Sequence, residues 1–469
     1  MNQKQLFDTM GDFSLPPADA ATVFAVACSV LVFAVLSAIA VRRVHWYLRP
    51  SLLIFGAYAL RVQWPSIFYL RKVAETAPTP WHYTFIIHGF ALLYLVVAIP
   101  LLMAGDRRMR ATWARMRRQI ESKQVWPGHL TAILLTVTLL TMLWYFLTIP
   151  FTETGLYYLF TSPTELTAAR EASWKLLPSE TLIYLYSWNY NTFAPMLLAG
   201  ATVMLLQRGR LDYLLFGSLA ALSTFLSANR GGVAQAVLVV LVTYFLLRAK
   251  RIRMLRTALY IALCGALVSL GPAYISLKRE GRELTPAAYA ERINSILFGR
   301  SILGPAHTVK MYVYHTQVSE YRGLAGIRPL AILAGTPYEN VSNEIGRQYV
   351  SGGGPTTICN TNFVGAYYIL FGLFTVPLCV AGVLLFDLFA LVFRIQNLTV
   401  LPFFVLFILK ALLLSEGVFT TGLITGGLWL IPLLALVARQ REKTTSGEVF
   451  RAGPRPRAIP GTSEPRQTT

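Results

Sequence analysis

The feature that most constrains this chain is a succession of apolar runs, each close to 20 residues long. A helix of about 20 apolar residues crosses the hydrocarbon core of a bilayer. Inside that core every backbone polar group must be satisfied within the protein. Eleven runs qualify, at about 21–41, 51–70, 83–104, 130–149, 184–206, 211–227, 232–248, 257–276, 363–393, 398–417 and 419–438. The ninth has room for an interfacial helix, Phe363 to Phe371, ahead of the true span. The prediction is an all-α polytopic integral membrane protein with about 11 transmembrane helices, about 10 to 12 once the run ends are allowed to slide. Only 14% of the residues are charged, against roughly 25% in soluble chains. A single transmembrane domain then covers residues 1–438. The polar start, with Lys4, Asp8, Asp12 and Asp19, predicts no cleavable signal peptide.

The net charge of +20 raises nucleic acid as a partner, but the placement of the cations opposes it. Most flank membrane runs, as the positive-inside bias requires. One side carries 25 of the 42 Lys and Arg residues, the other 15, and two lie within spans. The side with 25 is read as cytoplasmic, so the N-terminus is outside. The tail 439–469, rich in Pro, Gly, Arg, Ser and Thr, is read as a disordered cytoplasmic segment.

This topology leaves two large loops outside, 151–183 and 278–362, read as a cap over an active site. The second has 85 residues and nine of the 15 outer cations. Its Pro286 and the apolar spacing that follows predict a short helix. Long loops escape the charge bias; a site for an anion is the alternative reason for these arginines.

The turn Ser227-Ala228-Asn229-Arg230-Gly231-Gly232 carries the most pointed signal. Arg230 is the only charge between Asp212 and Arg248. Gly231 and Gly232 permit unusual backbone angles and close approach. They open the next helix, whose N–H groups favour anions. A guanidinium suits phosphate oxygens. An arginine that snorkels to headgroups is the competing reading. Arg170, Arg279, Arg282 and Arg347 stand near outer span ends and invite the same use, each against the plainer reading of a solvated residue paired with a nearby Glu. His307 and His315 in the long loop are the acid/base candidates, and packed loop histidines are their plainer reading. Asn229, Gly231, Thr356, Thr357 and Tyr190 are candidate substrate contacts. Most outer aromatics, Tyr157, Tyr158, Tyr184 and Trp188 among them, fit an interfacial belt. His88, Arg61, Lys410 and Glu416 are ionisable groups within spans, functional candidates by default or pairing and snorkelling residues.

No Walker motif, HExxH or clustered metal set occurs, so no metal and no cofactor are expected. The four cysteines show no ligand or disulfide spacing. In the first outer loop Glu75 is the lone carboxylate, which disfavours metal-dependent membrane glycosyltransferases that bind their metal through early acidic residues.

Phe225-Leu-Ser-Ala-Asn-Arg-Gly-Gly-Val resembles the Ser-x-Arg-Gly turn of bacterial O-antigen polymerases of the Wzy type, relatives of the O-antigen ligases in the GT-C superfamily. Ala168-Ala169-Arg170-Glu171 and Asn362-Phe-Val-Gly-Ala-Tyr-Tyr-Ile-Leu-Phe-Gly-Leu-Phe carry the resemblance over roughly residues 150–440. The resemblance implies a GT-C-like helical bundle and an inverting, metal-independent transferase. Its donor would be a glycan on undecaprenyl diphosphate, and its acceptor another lipid-linked repeat unit, at the outer face of the bacterial inner membrane. It implies a diphosphate contact for Arg230, with Arg170 and Arg279 or Arg282 as further contacts. It also implies membrane lipids, a chain-length regulator and a flippase as partners, and no nucleic acid. A ligase would use lipid A core as acceptor and a loop histidine; His307 and His315 lie in that loop but outside the ligase histidine motif. A lipid-linked oligosaccharide flippase is the rival from another class, and it predicts charges along the bundle centre.

Overall fold

The computed structural model describes residues 19–77, 79–122, 126, 128–162, 165, 176–226, 230–248, 254–350, 359–392, 405–406, 410, 419–423, 426–431 and 433–434. Among these the chain is all helix and turn, with no strand. It is an all-α, membrane-embedded protein. Four helices are long and apolar enough to cross a bilayer by length and composition: Ala20–Arg42, Trp81–Ala104, His129–Thr148 and Phe363–Leu391.

Of the other expected spans, several are interrupted or short. The second is α-helical over Pro50–Tyr58 and then widens into a π turn, Ala59–Gln63, ahead of Pro65. The fifth runs as Glu180–Trp188, a π turn Asn189–Phe193, and Ala194–Arg208. Asp212–Phe225 and Arg230–Arg248 have 14 and 19 residues, and Met254–Arg279 holds Pro272 internally. The runs at 398–417 and 419–438, with Glu416, lie largely outside the described residues, as does the tail 439–469.

Local chemistry accounts for the ends. Asp19, Ser179, Thr285 and Asn362 each accept a hydrogen bond from a backbone N–H in the first turn they precede, which satisfies donors a helix start leaves open. The expected short helix appears as Pro286–Asn294, with Pro286 in its first turn. A separate helix ahead of the ninth span appears too. Phe363–Phe371 stops at Gly372, whose φ is +58°, and Thr375–Val392 follows. A Cβ at Gly372 would meet the Tyr321 ring at 3.0 Å, so both angle and space favour glycine there.

The core sits between the second, third and ninth spans. Phe55, Tyr58, Phe90, Tyr94 and Phe363 are buried and stack or meet edge to face, with ring centroids 4.3–6.4 Å apart. Lipid is as apolar as these rings, so packing rather than water exclusion holds the helices together; such ring pairs add about 0.5–1.5 kcal/mol each. Polar ties supplement it. Asp387 accepts from the Ser51 N–H (2.9 Å) and hydroxyl (2.6 Å), capping the second span with the ninth.

On the side read as inner, Asp106–Glu121 is strongly amphipathic. Met109, Thr112 and Met116 are buried, while Arg107, Arg108, Arg115 and Arg118 are exposed. Asp106 clamps its start to the first inner loop. One carboxylate oxygen accepts from His45 Nε2 (2.7 Å) and Trp46 Nε1 (2.9 Å), and the other meets Arg43 (2.7 Å) and Arg110 (3.0 Å). These donors, His45 first and Trp46 next, hold the Asp106 carboxyl well below the usual carboxylate range.

The long connection 278–362 does not lie wholly on the surface. Its helix Gly304–Val318 is almost entirely buried and packs against Phe363–Phe371 and the π turn of the second span.

Candidate functional site

Arg230 is the first residue of Arg230–Arg248. Gly231 and Gly232 follow in helical geometry, so their contribution is close approach and open N–H groups rather than unusual backbone angles. The next helix, Met254–Arg279, packs against this one after a short connection, so the two run antiparallel. Arg230 and Arg279 therefore share one end of a helical hairpin. At 1.5 Å per residue, the 26-residue helix outruns its 19-residue partner by about 10 Å. A positive helix end and two cations thus gather on the side read as outer.

One turn below Arg230, Gln235 Nε2 donates to the Asn191 carbonyl at 3.3 Å. That carbonyl lies in the π turn Asn189–Phe193, where widening of the helix frees carbonyls from the regular ladder. Tyr190 sits in the same turn, partly buried. Lys410, 2% exposed, also donates to Asn191 O (2.6 Å) and to Gly426 O. The Thr192 hydroxyl reaches the Gly426 and Gly427 carbonyls at 3.1 and 3.3 Å. Gly427, at φ +65°, turns the chain there. Asn189 bridges Thr138 (3.1 Å) and Ser223 (2.6 Å). The π turn that holds Tyr190, the start of the Arg230 helix, Lys410 and the Gly426–Gly427 turn are thereby joined by hydrogen bonds.

The other sequence candidates fall elsewhere. Arg282 is exposed and engages Glu291 through both terminal nitrogens (2.8 and 3.3 Å). Hydrogen bonding and charge in that pair raise Arg282 and lower Glu291. Neighbouring Arg292 pairs with Glu280. This is the plain solvated-pair arrangement. Arg347 is exposed on Val341–Tyr349. Arg170, Asn229, Thr356 and Thr357 lie outside the described residues, and only the backbone is described at Arg230 and Arg279.

Both loop histidines are buried on Gly304–Val318. His307, 1% exposed, has its ring 5.3 Å from the Tyr69 ring. His315, 2% exposed, is set within a charged cluster. Its Nδ1 lies 3.1 Å from the Tyr349 hydroxyl. Burial pushes Tyr349 up to about 12, so it keeps its proton and can donate or accept. His315 Nε2 lies 3.5 Å from Glu344 Oε1. That distance is longer than a well-formed hydrogen bond. Glu344 in turn accepts from Arg322 Nη2 at 3.0 Å on both oxygens. Burial lowers the His315 pKa, with Glu344 opposing and Arg322 adding to the shift. The ring is neutral at physiological pH, the state a general base requires.

Sequence reasoning singled out His315 but not Glu344, Tyr349 or Arg322. Their only sequence signal is that each is polar in a basic loop. It flagged Lys410 as an intramembrane charge without its carbonyl partners. Among the described residues no group of three or more His, Cys, Asp or Glu side chains is placed to hold a metal. Compared with known proteins, the chain matches no family model, no curated protein and no solved structure.

Proposed function

We propose that this protein is a polysaccharide polymerase of a bacterial inner membrane. It transfers a growing glycan from undecaprenyl diphosphate to a lipid-linked repeat unit at the outer face, with inversion and without a metal. The observation that carries the reading is the shared end of the helical hairpin, where Arg230 heads one helix and Arg279 ends its partner. In the reaction the acceptor hydroxyl attacks the anomeric carbon, the bond from that carbon to the diphosphate oxygen breaks, and the diphosphate leaves with the electron pair. The donor carbon gains oxocarbenium character as charge builds on the leaving group. Arg230, the open N–H groups at its helix start, and Arg279 stabilise that charge in a partly dry setting. His315, neutral and set between Tyr349 and Glu344, is the candidate to take the acceptor proton once the outer connection admits substrate.

Arg230→Ala at unchanged protein level is the test. Loss of one such donor lowers the rate by about 10²–10³, so surface polysaccharide collapses to single repeat units; unchanged long chains rule the role out. The buried Lys410 favours a second reading, a lipid-linked oligosaccharide flippase. Purified protein in liposomes separates the two, because a polymerase forms new glycosidic bonds and a flippase only moves the lipid across.

A further inference from the structure

Two π turns meet inside the helical bundle. Ala59–Gln63 interrupts the second span and Phe85–Gly89 the third, and the two pack against each other. A π turn widens a helix and frees carbonyls, and such turns concentrate at functional sites. Two of the carbonyls are taken by nearby hydroxyls: Tyr58 donates to Ile87 O at 3.0 Å, and Ser66 to Gln63 O at 2.6 Å.

The second of these bonds sets the protonation of His88. Ser66 has one proton, and it points at Gln63 O. Towards His88 Nε2, 3.0 Å away, Ser66 Oγ can therefore only accept. His88 carries its proton on Nε2, and its Nδ1 is left as a bare lone pair. His88 is 0% exposed, and Nδ1 has no hydrogen-bond partner among the described residues. Protonating Nδ1 as well would bury a cation in the membrane with an unanswered N–H. The Gln63 amide is also 0% exposed, and neither its oxygen nor its nitrogen has a partner. Three orphaned polar atoms on two contacting π turns are more than a native interior leaves unanswered.

We infer that the facing π turns form a buried hydration site, in which ordered water donates to His88 Nδ1 and bonds the Gln63 amide. The ligand class follows from the atoms. His88 Nδ1 accepts only a donor, and the Gln63 amide offers both a donor and an acceptor. A small O–H molecule satisfies all three, as buried waters with about three hydrogen bonds do. The site stands apart from the Arg230 centre and does not rest on the transferase reading.

Full-length protein in lipid bilayers, labelled with ¹⁵N-histidine, tests this by solid-state NMR. The His88 signal is the one lost in His88→Gln. Wild-type His88 should show the Nε2–H tautomer, with Nδ1 receiving magnetisation from water. Ser66→Ala, which removes the acceptor from Nε2, should bring in the Nδ1–H tautomer. Gln63→Leu should cut the water transfer by about half or more, since two of roughly three bonds to the water go. A wild-type Nδ1–H tautomer, or an Nε2–H ring with no transfer from water, overturns the inference without any variant having to fold.

Discussion

Glu344→Gln should loosen the cluster that ties Val341–Tyr349 to the buried helix Gly304–Val318. Glu344 meets Arg322 at 3.0 Å on both oxygens, Gln348 at 3.4 Å and His315 at 3.5 Å. Hydrogen bonds to charged groups contribute about 1.5–3 kcal/mol each, and fully exposed ion pairs about 0–1 kcal/mol. The Arg322 and Glu344 side chains are 24% and 27% exposed, between those limits. We therefore expect the pair to be worth about 1–2 kcal/mol after discounting for solvent. A double-mutant cycle with Arg322→Met, read by equilibrium unfolding in mixed detergent, isolates that coupling. A coupling below about 0.3 kcal/mol, within the scatter of independent sites, refutes the reasoning.

The same variant carries a pH signature. Burial puts the folded pKa of His315 below its ordinary 6.5. Its contribution to stability is therefore present above pH 6.5 and is lost as pH falls from there through the folded value. Glu344 opposes the shift, so removing its charge lowers the folded pKa further and deepens the acid loss. Unfolding compared at about pH 7.5 and about pH 5.5 should show a larger drop for Glu344→Gln than for wild type.

Lys410→Met tests the polar centre beneath Arg230. Both carbonyls it serves keep a second donor, Gln235 on Asn191 and Thr192 on Gly426. The buried ammonium is thus surplus to hydrogen bonding, and its desolvation costs several kcal/mol. Thermal stability should hold or rise while polymer length falls; a destabilised protein that still polymerises would assign Lys410 to structure alone. Asp106→Asn removes the charge that Arg43 and Arg110 share. Amide exchange across Asp106–Glu121 should accelerate, and unchanged protection would mean the helix is held by its apolar face.

Local signals were legible wherever a short stretch decides the outcome. Pro286 announces a helix start, and the length of the ninth run leaves room for a separate helix over Phe363–Phe371; both helices are present. The interruptions were not legible. Nothing in Ala59-Leu-Arg-Val-Gln63 or Asn189-Tyr-Asn-Thr-Phe193 marks a π turn by pattern, because the extra residue is accommodated by what packs opposite. For the same reason nothing local in the long connection marks that its central helix, Gly304–Val318, packs into the bundle.

By itself the sequence determined the helical membrane class, through apolar runs that leave a backbone in lipid no other economical form. It also singled out Arg230, an isolated charge between two apolar segments. Tertiary structure decided which polar groups meet. It sent Arg282 to Glu291 and put Arg279 and Arg230 at the same end of a helical hairpin. It gave His315 a carboxylate from 29 residues away and Lys410 two carbonyls, one in a distant π turn and one in the Gly426–Gly427 turn. Those pairings depend on helix crossings and on bonds between residues far apart in the chain, which local spacing does not encode.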